Sequence, residues 1–441
     1  MTDPSFDICF PKFNRKKQTI HLKQGLNIIY GESGVGKTYL SQILAGRLIP
    51  DAELNFKVSP TQLSDKVALV FQNPDDQIVA PTIFSELAFN YENFGYHSNS
   101  IRDKIHQLCS EYDLQWDIKR HPSTLSGGEK QILNLITAIS SKPEILIIDD
   151  GLCYLSKSNK LKMINHLQNY CLKQNAVTIW LTSDITDMDF LDQGKELKLD
   201  SLVTWRKNES QSGIINSMFR NGNISLNLNK MSYSYSNSED LFSNQTVRVK
   251  SFRALAVLGD NGSGKSTFAD LLADILKPKS GSLQLLSERK KNLKLGYLQQ
   301  FPERSLGGMT YNELTLKMIE AGLITNTKLT IFQKALQTFQ ISWDLIKHTP
   351  IHRLGLSVAR MTILLIICCG NYDVIILDEP TFSLGYQLQV KLAQFLKKSL
   401  EHKHFILISH NDLFTRRVCD QTIKITDGQF IKVESKRAEY V

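Results

Sequence analysis

Two short stretches carry the residue types that hold phosphate. Gly31, Glu32, Ser33, Gly34, Val35, Gly36, Lys37 and Thr38 fit G-x-x-x-x-G-K-[ST]. So do Gly259, Asp260, Asn261, Gly262, Ser263, Gly264, Lys265 and Ser266, with Thr267 following. In such a loop the glycines let backbone N–H groups turn inward around phosphate oxygens, helped by the N-terminus of the next helix. Lys37 and Lys265 would reach the β- and γ-phosphates, while Thr38 and Ser266 would each offer a hydroxyl to Mg²⁺. A glycine-rich turn can imitate one such loop. Two at matching positions, each after a strand and before a helix, are hard to obtain by chance.

Carboxylates complete the chemistry. In "DVIILDE" (373–379) an apolar strand would deliver Asp378 to the metal and set Glu379 to polarise an attacking water. In "EILIIDD" (144–150) the metal position survives as Asp149, but the water-activating position holds Asp150. Aspartate is one methylene shorter, and a displacement of about 1 Å can cost roughly a hundredfold in rate. The alternative is that these are strand-end acids capping helices.

The elements that must position these groups recur. "GESGVGKT" is answered by "GDNGSGKS" about 228 residues later, "EILIIDD" by "DVIILDE", and "TIWLTSD" (178–184) by "FILISHN" (405–411). Order and spacing are kept, so two homologous domains are expected in tandem, over 1–205 and 224–441. The polar stretch 206–223 reads as the linker. Short apolar β-rich runs such as "LNIIY" and "ALAVL" alternate with helical patterns, an α/β arrangement with a largely parallel sheet.

The 441 residues suffice for two ordinary domains, and 42% hydrophobic with 22% charged residues is a globular composition. No apolar run approaches the length of a bilayer span; the best candidates, "ILLIICC" (363–369) and "VIILDEP" (374–380), are too short and read as a buried helix and a buried strand. The first residues lack a basic stretch followed by an apolar one, so a signal peptide is not expected. Seven scattered cysteines without a CxxC pair point to reduced thiols in the cytoplasm rather than a metal site. A net charge of +8 spread along the chain reads as a solvated surface.

A phosphate loop, then "LSGGEKQ" (125–131), then an apolar–Asp–acid strand resembles the ATP-binding cassette (ABC) ATPases, and the resemblance covers nearly the whole chain twice. It implies two tandem P-loop NTPase domains, each with a mostly parallel sheet core, an antiparallel β part and a helical subdomain. ATP and Mg²⁺ are the implied cofactors. By resemblance, Gln72 and Gln300 touch Mg²⁺ and sense a membrane partner, with Gln299 a rival for the second. His410 matches the switch histidine near the γ-phosphate. Tyr235 resembles the aromatic that stacks on adenine, the alternative being a surface strand tyrosine. In the first half Phe10 and Phe13 are weak counterparts.

Cassettes of this family pair head to tail, each ATP lying between one phosphate loop and the other domain's signature. Serine and glycine amides at a helix N-terminus then supply a second set of donors to the γ-phosphate. One composite site would join Lys265, Ser266, Gln300, Asp378, Glu379 and His410 with Ser126, Gly127, Gly128 and Glu129. The other would join Lys37, Thr38, Gln72 and Asp149 with "LGLSVAR" (354–360), where Gly355, Leu356 and Ser357 replace serine, glycine and glycine. That site also carries Asp150 for glutamate and Ser183 for the switch histidine. One hydrolytic and one degenerate site are expected. The aspartate expected after each carboxylate pair is replaced by Ser156 and Gly385, which this scheme does not explain.

"FQNPDDQIVAPTIFSELAF" (71–89) resembles the ATPases of energy-coupling factor (ECF) type importers, and "QFPE" (300–303) echoes a variant. That resemblance implies a transmembrane coupling subunit, a substrate-binding membrane subunit for a vitamin or metal ion, and a peripheral location on the cytoplasmic face of the cell membrane. Nucleic acid is not an expected partner. The alternatives are another ABC transporter class, or a soluble tandem ABC ATPase acting on ribosomes or DNA; against the last, the linker is short and of mixed charge.

Overall fold

The computed structural model describes residues 4–9, 18–32, 35–48, 57–60, 62–155, 157–190, 223–235, 239–260, 262–290, 292–306 and 308–433. They fall into two compact units, Met1–Lys207 and Asn208–Val441. The expected linker, apart from Asn223, lies outside the described residues, as do Ser33, Gly34, Asn261, Ser156, Phe10 and Phe13.

In the first unit four parallel strands are ordered Gly25–Tyr30, Val177–Thr182, Ile145–Asp149, Val67–Val70. The second repeats this order with Ala254–Gly259, His404–Ser409, Val374–Asp378 and Leu295–Leu298. There Gln421–Thr426 adds a further parallel strand beyond Ala254–Gly259, and Gln429–Val433 an antiparallel one. Ile145–Asp149, Val177–Thr182, Val374–Asp378 and His404–Ser409 are buried along their whole length, which explains why they read as continuous apolar runs rather than alternating ones. Each unit also carries a three-stranded antiparallel sheet, of Gln18–His21, Ser5–Cys9 and Lys57–Ser59 in the first. In the second it is Ser280–Ser287, Ile224–Tyr233 and Phe242–Phe252.

The helical parts have cores of their own. Ile83–Asn93, Ser98–Glu111 and Gly127–Ser140 share Leu87, Ile105, Leu133 and Ile136. Tyr311–Glu320, Asn326–Thr338 and Leu356–Cys369 pack around Tyr311, Phe332, Leu336 and Leu364. The apolar run 363–369 is therefore a buried helix and 374–378 a buried strand, as their lengths suggested.

The phosphate loops lead into short helices, Lys37–Leu44 and Lys265–Leu272. Each is preceded by a glycine in the left-handed region, Gly36 at φ 101° and Gly264 at φ 93°. A Cβ on Gly264 would also stand 2.8 Å from Phe242 Cζ, so the position is closed to larger residues by space as well as by φ. Behind this helix Phe268 is fully buried, its ring 4.8 Å from that of Phe430. Phe268→Ala should cost the second unit about 3–5 kcal/mol. Denaturant unfolding followed by a probe in that unit checks this, and a loss below about 1 kcal/mol would contradict the packing described.

Candidate functional site

In the second unit one sheet end gathers the predicted residues. Lys265 Nζ donates to Gly259 O (2.9 Å) and Asp260 O (2.8 Å), lying across the loop it belongs to. Burial pushes this ammonium's pKa down, against the opposing pull of Glu379, Asp378 and Asp260. Ser266 Oγ donates to Asp378 Oδ2 at 2.7 Å. Burial, opposed by that bond and reinforced by the Glu379 charge, raises the Asp378 carboxyl to about 6. Its Oδ1 is buried without a hydrogen-bond partner.

Glu379 is held from three directions. Ser409 Oγ donates to its Oε2 at 3.0 Å, and the His410 backbone N–H to its Oε1 at 3.1 Å. His410 Nδ1 lies 2.9 Å from the same Oε1. Burial alone would raise the Glu379 carboxyl; the His410 bond and charge, Lys265 and Ser409 outweigh it and hold the group below its ordinary value. Its backbone sits at φ 48°, and its N–H donates to Ile408 O at 2.8 Å. A non-glycine residue is uncommon there, and such strain concentrates where a side chain must be aimed.

The first unit repeats the frame with different side chains. Lys37 Nζ donates to Gly31 O (2.8 Å) and Glu32 O (3.2 Å). Asp149 is raised to about 6 by burial and by the Asp150 charge, against hydrogen bonds from Thr38 and Ser41, and its Oδ1 too is a buried orphan. Asp150 has φ 48° and donates its N–H to Leu181 O at 2.8 Å, so it is the geometric counterpart of Glu379. Its carboxylate accepts from Ser183 N (2.7 Å) and Ser183 Oγ (3.1 and 3.2 Å) and lies 3.7 Å from Lys37 Nζ. Where the second unit places a long acid beside a half-exposed histidine, the first places a short acid on a buried serine and the loop lysine.

Strand register bears on the two glutamines. Val70 pairs with Ile148 and Leu298 with Leu377, so Gln72 and Gln300 stand equally far past equivalent strand ends, and Gln299 does not. Tyr235, half exposed just beyond Ile224–Tyr233, has its hydroxyl 2.8 Å from Thr267 Oγ1, which sets the ring beside the phosphate-loop helix.

The signature stretch starts the helix Gly127–Ser140. Ser126 Oγ accepts from Glu129 N (3.3 Å) while Glu129 Oε2 accepts from Ser126 N (2.8 Å), a capping box that leaves the serine proton able to donate outward. A Cβ on Gly127 would stand 2.6 Å from Tyr154 Cδ1, and one on Gly128 3.0 Å from Tyr154 O, so packing also demands these glycines. The equivalent helix Leu356–Cys369 begins at Gly355 with no side-chain cap. Its Ser357 Oγ donates to Ser383 O (2.8 Å), spending the hydroxyl within its own unit.

Two contributors escaped the sequence reading. Ser409 was detectable only as the polar last residue of an apolar strand, and Arg360 as the lone cation entering the apolar run 361–369. As for a metal, the buried orphan oxygens of Asp378 and Asp149, beside Ser266 and Thr38, are hard oxygen donors of the kind Mg²⁺ takes. Among the described residues no cluster of three His, Cys, Asp or Glu side chains is placed to hold a metal ion.

The family model described as "ABC transporter" matches residues 17–152 and 242–382. A Methanosarcina mazei protein named for ATP binding in ABC transport is 24% identical over 95% of this chain and 91% of its own length. A Lactiplantibacillus plantarum protein of the same name is 23% identical over 92% of this chain and 85% of its own. The energy-coupling factor transporter ATP-binding protein EcfA1 of Lactobacillus acidophilus is 28% identical over 37% of this chain and 62% of its own length. Among solved structures, RNase-L Inhibitor shares the fold with a TM-score of 0.59 at 18% identity, over 93% of this chain and 86% of that one. A chain from a model of ribosome-bound archaeal Pelota and ABCE1 does so at 0.65 and 17%, over 93% and 75%.

Because the Asp378 carboxyl is raised in the fold from its ordinary value to about 6, the nucleotide-free protein carries a charge penalty that is present above about pH 6 and relieved as pH falls toward 4. Asp378→Asn should therefore raise the apo unfolding temperature at pH 7.5 and change it less at pH 5. A lower unfolding temperature at both pH values would contradict this.

Proposed function

The chain belongs to the ABC transporter family, and on that premise we propose that it is the ATP-hydrolysing subunit of a membrane importer of the energy-coupling factor type, with one competent and one degenerate ATP site. ABC cassettes hydrolyse ATP, and this chain holds two. The observation that carries the hydrolytic part of this reading is the clamped carboxylate: Glu379 is held ionised by Ser409 and His410 beside Lys265 and the Ser266–Asp378 pair. A base near an attacking water must be charged and aimed, and Glu379 is both.

In the competent site, Lys265 and the loop amides of 259–267 hold the phosphates of ATP, and Tyr235 takes the adenine. Ser266, Gln300 and Asp378 are the residues for Mg²⁺, which supplies charge neutralisation at the β- and γ-phosphates. Glu379 polarises water and His410 meets the γ-phosphate. Ser126, Gly127, Gly128 and Glu129 of the first half close over the same nucleotide. In the degenerate site Lys37, Thr38, Gln72 and Asp149 retain binding. Asp150 is drawn to Ser183 and Lys37, and the facing segment 355–357 has Leu356 and Ser357 in place of the glycine pair and lacks the side-chain cap.

Support for a membrane partner comes from the segment after Gln72. Glu86 is buried and accepts from the backbone N–H groups of Val79 (3.0 Å) and Ala80 (2.8 Å). The bonds hold a loop on which Val79 is 70% exposed. That loop borders a cleft of about 340 Å³ lined by Asp75, Ile78, Val79, Ala80, Pro81, His121, Pro122 and Ser123. An exposed apolar residue over a cleft, next to the glutamine that contacts Mg²⁺, suits a membrane subunit that must communicate with ATP. No helix among the described residues is long and apolar enough to cross a membrane, so a separate subunit would supply the pore. The partial likeness to EcfA1 favours the energy-coupling factor class. The RNase-L Inhibitor and ABCE1 structures share the fold alone, which keeps a ribosome-directed reading as the alternative.

Glu379→Gln should lower steady-state ATPase activity by at least about a hundredfold, whereas Asp150→Asn should leave it within about twofold. Equal losses would remove the asymmetry. The native protein, extracted in mild detergent, should copurify with a multi-span membrane subunit identified by mass spectrometry. Recovery on ribosomes instead would overturn the transport reading.

A further inference from the structure

The residue at the lapsed signature that the site does not use is Arg360, which is fully buried. Its Nη2 donates to the backbone carbonyl of Glu379 at 2.9 Å. Its Nη1 lies 3.8 Å from Glu303 Oε2, and its guanidinium carbon 5.0 Å from the centre of the Phe382 ring. Glu303 follows Gln300 by three positions, and the neighbouring Phe301 stacks edge-on against Phe382 at 5.6 Å. One guanidinium thus touches the segment after Gln300 and the main chain of the water-activating residue.

The first unit handles the equivalent charges differently. Both helices run 14 residues, so Ala359 and Arg360 stand at the positions of Lys130 and Gln131. There Lys130 Nζ meets Asp75 Oδ1 at 2.7 Å, while Gln131 Oε1 accepts from Tyr154 N at 2.8 Å. The acid's partner and the ligand of the carboxylate loop are two residues in the first unit. In the second they are one.

We propose that Arg360 is a positioning residue that fixes the main chain of Glu379 and ties it to the Phe301–Glu303 segment. Glu379 occupies a left-handed conformation that its own preference does not favour, and a charge-assisted bond to its carbonyl opposes relaxation to a commoner one. The guanidinium hydrogen-bonds the carbonyl through Nη2 while Nη1 faces Glu303 Oε2 across 3.8 Å, an ion pair without a direct hydrogen bond. Moving Glu303 away would take compensating charge from a buried guanidinium that also holds the Glu379 carbonyl, so the segment and Glu379 are coupled through Arg360. A shift of residues 301–303 on partner binding then reaches the attacking water. This rests on Glu379 being the base.

Single-turnover and steady-state ATPase measurements on the full chain test it. Arg360→Gln, which installs the first unit's residue, should lower kcat about tenfold or more while KM for ATP stays within about twofold, and Arg360→Lys should recover part of the loss. In a Glu379→Gln background Arg360→Gln should add no further loss, because it acts through that residue. An additive loss there, or unchanged kcat in Arg360→Gln, would overturn the proposal. If Arg360→Gln does not fold, Glu303→Gln, which keeps the guanidinium and its carbonyl bond, should still lower kcat, and wild-type kcat would overturn the tie. Failure of the base reading is seen separately, as full activity in Glu379→Gln alone.

Discussion

Each half depends on the way a carboxylate is held just past the end of a fully buried strand. The strand carries one acid into the sheet end, and the next residue turns at φ 48° so that a second acid faces the first amide past the neighbouring strand's end. In the second half that amide is His410 N and the acid is Glu379. In the first it is Ser183 N and the acid is Asp150. The backbone frame is the same, so what differs is one methylene and one ring. Glutamate is long enough to accept from Ser409, the His410 amide and the imidazole while staying beside Lys265. Aspartate, hydrogen-bonded to serine, instead lies against Lys37. Equivalent backbone frames thus give one carboxylate held by a serine and an imidazole and one held by a serine and beside a lysine.

The same contrast appears at the signature helices. Gly127 and Gly128 let Tyr154 approach closely, and Ser126 caps the helix through its oxygen. In the lapsed copy the third position is Ser357, whose hydroxyl is spent on Ser383 O, a carbonyl equivalent to the one Gly128 admits. The lapse is a repacking with its own hydrogen bond, and it removes the capping serine and puts Leu356 and Ser357 where the intact copy has Gly127 and Gly128. Under the proposed pairing, the short acid, the missing histidine and the repacked helix all fall on one nucleotide.

Much of this was legible in the sequence. The phosphate loops, the strands ending in acids and the buried helix at 363–369 follow from residue types whose physics is local: glycines that can take φ near 100°, and apolar runs too short to be anything but core. Other features were not. Ser409 is an unremarkable polar residue until the pairing of Val374–Asp378 with His404–Ser409 brings it to Glu379. Gln299 and Gln300 differ by one step of register, and strand pairing sets Gln300, like Gln72, two residues past its strand's end. Arg360 was hidden because the lapsed motif drew attention to what was missing, and its partners Glu303 and Glu379 lie 57 and 19 positions away. The Gly385 departure has a modest local account: it starts the helix Tyr386–Ser399 at a cap position without a side-chain bond.

The central claim is that one ATP of two is turned over. The direct measurement is a rapid-quench experiment with radiolabelled ATP, counting nucleotide bound and nucleotide cleaved per chain in the first turnover. Two bound and one cleaved, with the other recovered as intact ATP, is the result expected. Cleavage of both at comparable rates would contradict the division of labour between Glu379 and Asp150.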